Sequence, residues 1–232
     1  MTISTHFARA RALARRLRED SSGLALIEFA YSMPLLIVLS FYGLEMSNLA
    51  ITNLKISQAT SAMADNMSRI GMESALSTVQ LRESDVNDSI EGMKRQTEGL
   101  DLFKNGRVTI SSLEQNAQGG QWIRWQRCKG EKNYPSTYGT AGDGATGTAF
   151  PGMGPASARV TSPSNQDAVM FVEVRYDYKS LFSTMFVENR QLRYYASFLV
   201  RDQRDLAGPS GGGIYNPAPA AVASTCNVFN ST

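Results

Sequence analysis

The sequence of 232 residues predicts an α+β fold: a long N-terminal transmembrane and amphipathic helix, a second short helix, and a small antiparallel β-sheet of about four strands. Three observations predict it. Leu24 to Leu44 is a run of twenty-one residues with a single charge, Glu28. Beyond it Ile56, Ala59, Met63, Met67 and Ile70 recur at intervals of 3, 4, 4 and 3 residues, one apolar stripe on a helix face. In the second half, four runs rich in β-branched and aromatic residues are separated by turn and loop residues.

Residues 1–23 form a basic leader. Arg9, Arg11, Arg15, Arg16 and Arg18 stand against Glu19 and Asp20, with Ala8, Ala10, Ala12, Leu13, Ala14 and Leu17 between them. Such an amphiphile suits the membrane surface. A transit or nuclear-localisation reading of these arginines is weaker, because an apolar span follows at once. No Lys or Arg recurs until Lys55, so the charge asymmetry predicts a cytoplasmic N-terminus with everything after about residue 45 outside. The net charge of +2 does not point to nucleic acid as a partner.

Residues 24–44 as a helix measure roughly 32 Å, enough for a hydrocarbon core of about 30 Å. An acid at mid-membrane costs about 2.5–3.5 kcal/mol even on mild scales, and less near the interface. Glu28 is the fifth residue of the run and is the anomaly to explain. A cleaved secretory signal is an alternative, but the run exceeds an ordinary apolar region of roughly 7–15 residues. Residues 44–50 also offer no clean small-x-small cleavage site. Pro34 is expected to kink the helix or loosen a turn.

Residues 45–104 read as an amphipathic helical region. The long helix should continue to about residue 70 and end at Gly71, roughly 70 Å in all. Lys55, Gln58, Asp65 and Arg69 take the face opposite the stripe. That stripe faces either the core of a domain or neighbouring subunits. A second helix is expected from Asp85 to Glu98, with Ser84 as N-cap and Val86, Ile90, Met93 and Leu100 on its apolar side. Asn105-Gly106 marks a turn.

Residues 105–207 carry the sheet. Arg107–Leu113 alternates as a half-buried strand should, and Gln121–Cys128 is rich in aromatics. Ala168–Tyr178 is the strongest strand, with Val172, Val174, Tyr176 and Tyr178 on one face, and Arg190–Arg201 is the fourth. A Gly/Pro-rich insertion, 129–167, interrupts them with seven glycines and four prolines. Gly142 to Gly147 matches G-x-G-x-x-G, but no helix pattern follows and Pro151 is near, so dinucleotide binding is not indicated. The aromatic-basic stretch QWIRWQR is read as sheet packing rather than a base-stacking platform. Residues 208–232 form a Gly/Pro/Ala-rich tail whose anchor would be Cys226.

Cys128 and Cys226 both lie beyond the span. In an oxidising compartment they read as one disulfide; in a reducing one they would remain thiols. The sole histidine, His6, is in the leader, which removes Ser-His and Cys-His pairs and most zinc sites from the outer domain. No catalytic residues, metal ligands, cofactor or small-molecule substrate are marked. A membrane-tethered enzyme using carboxylates or Ser-Lys would need a polar cluster that no motif announces.

A basic leader, Gly23, four apolar residues (Leu24 to Ile27), then Glu28 and Phe29 at the head of an apolar helix resembles the prepilin and pseudopilin pattern. The G-x-x-x-x-E-F form resembles type IVb Flp pilins. The stretch SSGLALIEFAYSMPLLIVLSFYGLEMSNLA is similar to the TadE-like family, minor pseudopilins of tight-adherence (Tad/Flp) pilus machines. Pro34, a second acid at Glu45, and the pieces VTISSLEQ, GGQWIRWQRCKG and FVEVRYDYKSLF extend the resemblance over most of residues 21–200. It implies a pilin-like fold, cleavage by a prepilin peptidase between Gly23 and Leu24, and recognition and assembly through Glu28 and Phe29. It implies as partners inner-membrane lipid, that peptidase, other pilins or pseudopilins and the Tad assembly platform. It places the chain in the bacterial inner membrane with a periplasmic domain, possible incorporation into the pilus included. The same residues admit two other readings, an uncleaved single-pass anchor or adaptor and a pseudopilin of a type II secretion system.

Overall fold

The computed structural model describes residues 3–19, 22–73, 78–182 and 187–231. The fold is α+β, with one long apolar N-terminal helix and a four-stranded antiparallel sheet. Helix α1 is Ile3–Glu19 and α2 is Ser22–Arg69, 48 residues running unbroken through Pro34. Pro34 has no amide hydrogen, so the carbonyl four residues earlier, at Ala30, lacks its helical donor. From Gly23 to Leu44 every residue of α2 is exposed, and Glu45 is the first buried one. The domain therefore begins to touch the helix where the apolar run stops. The exposed stretch is long and apolar enough to cross a membrane.

Beyond Glu45 the helix buries the stripe seen in the sequence. Ile56, Ala59, Met63 and Met67 are each at most 2 % exposed, while Lys55, Gln58 and Arg69 face out. The helix ends at Arg69, within a residue of the expected end before Gly71, and Arg204 caps it. Its guanidinium donates to the Met67 and Ile70 carbonyls at 3.1 and 2.6 Å, supplying the positive charge that a helix C-terminus favours.

Two two-residue strands, β1 (Met72–Glu73) and β2 (Val79–Gln80), lead into α3, Glu83–Gln96. Its apolar side holds Val86, Ile90 and Met93 buried as expected, but the helix ends at Gln96 and Leu100 packs on the core from the turn beyond it. Its start differs too. Arg82, not Ser84, is the N-cap residue, and Asp85 at the third helical position accepts from the Arg82 amide at 2.9 Å and its guanidinium at 2.8 Å. A carboxylate reaching back across the first turn satisfies an orphan donor as a serine cap would, and it pairs with a charge as well. A single helical turn, α4 (Leu102–Asn105), then precedes Gly106, where a Cβ would meet the Arg175 carbonyl oxygen at 2.3 Å.

The main sheet has the order β4-β3-β5-β6, with β3 Gly106–Gln115, β4 Gln121–Lys129, β5 Ala168–Tyr178 and β6 Arg190–Leu199. Every neighbouring pair is antiparallel. Strand alternation sends Val172, Val174, Tyr176 and Tyr178 of β5 toward α2 and α3, with Val108 and Ile110 of β3 beside them. The opposite face is also buried, because Leu113, Ile123, Val169 and Phe171 pack under Met153, Tyr138, Phe150 and Val160 of the 129–167 insertion.

That insertion is a third layer rather than an interruption. Glu173 of β5 accepts from the Ser136 hydroxyl and the Thr137 amide, each at 3.0 Å, and Asp177 accepts from the Tyr134 hydroxyl at 2.7 Å. Asn116, in the β3–β4 turn, donates to the Gly144 and Gly147 carbonyls at 2.7 Å. The G-x-G-x-x-G match is thus a turn seated on that hairpin. Gly144 has φ +76° and its missing Cβ would lie 2.1 Å from the Gln121 carbonyl oxygen, so only glycine fits. The arginines of QWIRWQR are engaged inside the protein: Arg124 with Glu114 at 2.6 Å and Arg127 with Glu83. Trp125 is in the core.

Candidate functional site

The residues singled out in the sequence fall in two places. The first is the head of α2. Helix α2 begins at Ser22, so the Gly23–Leu24 bond lies in the first helical turn. The first four amides of a helix have no intrahelical partner, so unwinding that turn costs little. Nothing lies within 4 Å of where a Gly23 Cβ would be, and Leu24 and Phe29 are more than half exposed. Glu28 is exposed and makes no hydrogen bond or ion pair to a described residue. Arg11, Arg15, Arg16 and Arg18 are exposed on α1, with Arg15 paired to Glu19 at 3.0 Å; the Arg9 side chain lies outside the described residues. The bond, the acid and the aromatic are therefore together, accessible and free of packing against the described residues.

The second place is the disulfide. Cys128 at the end of β4 is bonded to Cys226 in the tail, with Cα atoms 4.7 Å apart and a sequence separation of 98. Arg107 works beside it. Only 3 % exposed, it donates to the carbonyls of Cys226 at 2.6 Å, Gly130 at 2.9 Å and Val228 at 3.2 Å, and lies 4.2 Å from the Phe229 ring centroid. Burial lowers its pKa below the ordinary arginine value. The tail thereby covers the last part of the outer edge of β4, with the Cys128 amide donating to Ser224 at 2.7 Å and that of Gly130 to Asn230 at 3.0 Å, while Gly142 and Asp143 of the insertion pair with Ile123 nearer its start. Covering an edge at both ends in this way makes it a poorer template for pairing with another chain.

A third cluster has no signal in the sequence beyond the presence of an acid at the end of the apolar run. The Glu45 carboxylate, fully buried, accepts from the Tyr178 hydroxyl at 2.6 Å, the Leu181 amide at 2.9 Å and the Phe182 amide at 3.1 Å. Asn48 donates to the same hydroxyl at 2.9 Å, and Tyr194 of β6 donates to Asn53. Burial, and next the bond to Glu45, hold the Tyr178 phenol above its ordinary pKa, so it stays a neutral donor. These bonds fasten the helix to the end of β5 at the level where it leaves the apolar run.

Among the described residues no group of three or more His, Cys, Asp and Glu side chains could hold a metal ion. Compared with protein-family models, with curated proteins and with solved structures, the chain matches none of them.

Proposed function

We propose that this chain is a minor pseudopilin of the TadE-like kind, taking part in assembly of a tight-adherence (Flp, type IVb) pilus. In this reading α2 crosses the inner membrane with the leader in the cytoplasm and the α+β domain in the periplasm. A prepilin peptidase cuts after Gly23, and the partners are other pilins or pseudopilins and the assembly platform. The proposed role is structural rather than enzymatic, without cofactor, nucleic acid or small-molecule substrate.

The observation that carries this is Glu28. It is a carboxylate on an exposed apolar helix, five positions after Gly23, with no partner among the described residues. An anchor alone would be more stable without it. After a cut at Gly23, Leu24 bears a new α-amino group, and a carboxylate four residues on can neutralise that amine on a neighbouring subunit. In low dielectric such a pair offsets much of the desolvation cost of both charges and fixes register. The test is Glu28→Ala in cells that assemble the pilus: assembly is expected to fail or slip in register, and normal assembly would overturn the role. An uncleaved anchor is the second reading, and the folding of the leader into its own helix of 17 residues favours it.

A further inference from the structure

We infer that the turn after β5, residues Lys179 to Phe182, is a foot that seats the domain on the lipid bilayer, with Leu181 and Phe182 entering the interface beside α2. This rests on the reading of residues 24–44 as a membrane span.

The geometry begins with depth. The Phe182 ring lies 4.9 Å from that of Phe41, centroid to centroid. Phe41 belongs to the apolar run and sits four residues before Glu45, about 6 Å back along the helix axis. Phe182 therefore reaches past the first buried position of α2 to a level that lipid occupies if Phe41 is in lipid. Leu181 is 60 % and Phe182 47 % exposed, and on the adjoining helix Tyr42 and Leu44 are exposed as well. The patch is continuous with the span instead of standing as an island on the domain. Lys179 is exposed at its border, where an ammonium meets phosphate headgroups.

The backbone chemistry selects lipid. An irregular turn cannot enter an apolar phase with free amide hydrogens. Here the amides of Leu181 and Phe182 both donate to the buried Glu45 carboxylate, which the Tyr178 hydroxyl also satisfies. The two apolar side chains are thus presented on backbone whose donors are already taken. A buried acid at the end of a membrane helix, costly on its own, has a use as the acceptor for this turn.

The experiment uses the full chain in nanodiscs of phosphatidylethanolamine and phosphatidylglycerol, with and without acyl-chain bromine. Emission is compared for the wild type, Phe182→Trp and Leu36→Trp; the native Trp122 and Trp125, both on β4, give the background. Both variants are expected to gain blue-shifted emission that brominated lipid quenches, Phe182→Trp most strongly with bromine near the headgroup. Quenching of Leu36→Trp without quenching of Phe182→Trp overturns the foot and leaves the span standing. Quenching of neither overturns both. Blue-shifted Phe182→Trp emission that bromine leaves untouched, in discs holding several copies, would assign the patch to a neighbouring chain and overturn the lipid contact.

Discussion

Tyr178 and Glu45, separated by 133 residues of chain, meet through a 2.6 Å hydrogen bond that joins the end of β5 to the long helix. A phenol held neutral faces a buried carboxylate, and Asn48 supplies the phenol oxygen with its own donor. A polar joint at the edge of the apolar run therefore adds to the apolar packing of α2 on the sheet.

That joint can be measured. Tyr178→Phe removes a donor to an ionised acceptor and should destabilise the domain by about 1.5–3 kcal/mol. Glu45→Ala strands that donor and two backbone amides, and should cost at least as much. In a double-mutant cycle, by urea titration in detergent, the two changes should be coupled by at least about 0.5 kcal/mol. Additive losses would separate the residues energetically.

The bridge between Cys128 and Cys226 closes a loop of 98 residues, for which loop-closure entropy gives about 4–5 kcal/mol. Cys226→Ser should abolish the mobility difference between reduced and non-reduced gels and lower the unfolding midpoint markedly. Because Arg107 grips the Cys226, Gly130 and Val228 carbonyls, Arg107→Ala should loosen the tail even with the bridge intact, seen as faster amide exchange over residues 224–230.

A pH dependence follows from Asp205. The Tyr215 hydroxyl, outweighing burial, and then the Gly208 and Ala207 amides hold its carboxyl below the ordinary aspartate value of 3.8. A carboxyl with a depressed folded-state pKa contributes stability above its unfolded value, and the contribution is lost as pH falls through the folded value. Stability should therefore drop below about pH 4. Tyr215→Phe should make that drop shallower, and an unchanged acid limb would rule Asp205 out as its source.

Arg204→Ala should fray the last turn of α2. The arginine is 8 % exposed, and burial pushes its pKa down to about 10, which leaves it charged at neutral pH, donating to the Met67 and Ile70 carbonyls. The expected loss is about 1.5–3 kcal/mol for bonds from a charged donor. It should be accompanied by reduced protection of the amides of residues 66–70.

How much of this was legible in the sequence depends on whether the cause was local. The stripe from Ile56 to Met67 and the strand from Ala168 to Tyr178 were readable because burial follows the period of their own backbone. The Arg82 cap escaped because the pair it forms with Asp85 replaces the serine that propensity favours. The 129–167 layer escaped because its seats, Asn116, Glu173 and Asp177, lie on strands distant in sequence. Gly and Pro content looks the same whether a loop is free or pinned. At the head of α2 the pattern on which the proposal rests, Gly23 to Phe29, was visible at once, since its residues are neighbours in sequence. The part of Glu45 was not, because its partners are all more than 130 residues away.

The most direct measurement is the intact mass and N-terminal sequence of the mature chain isolated from membranes of cells that carry the pilus machinery. A chain beginning at Leu24, lighter by residues 1–23, is the expected result. A mature protein that keeps its terminus at Met1 or Thr2 would contradict the pseudopilin reading and leave an uncleaved anchor.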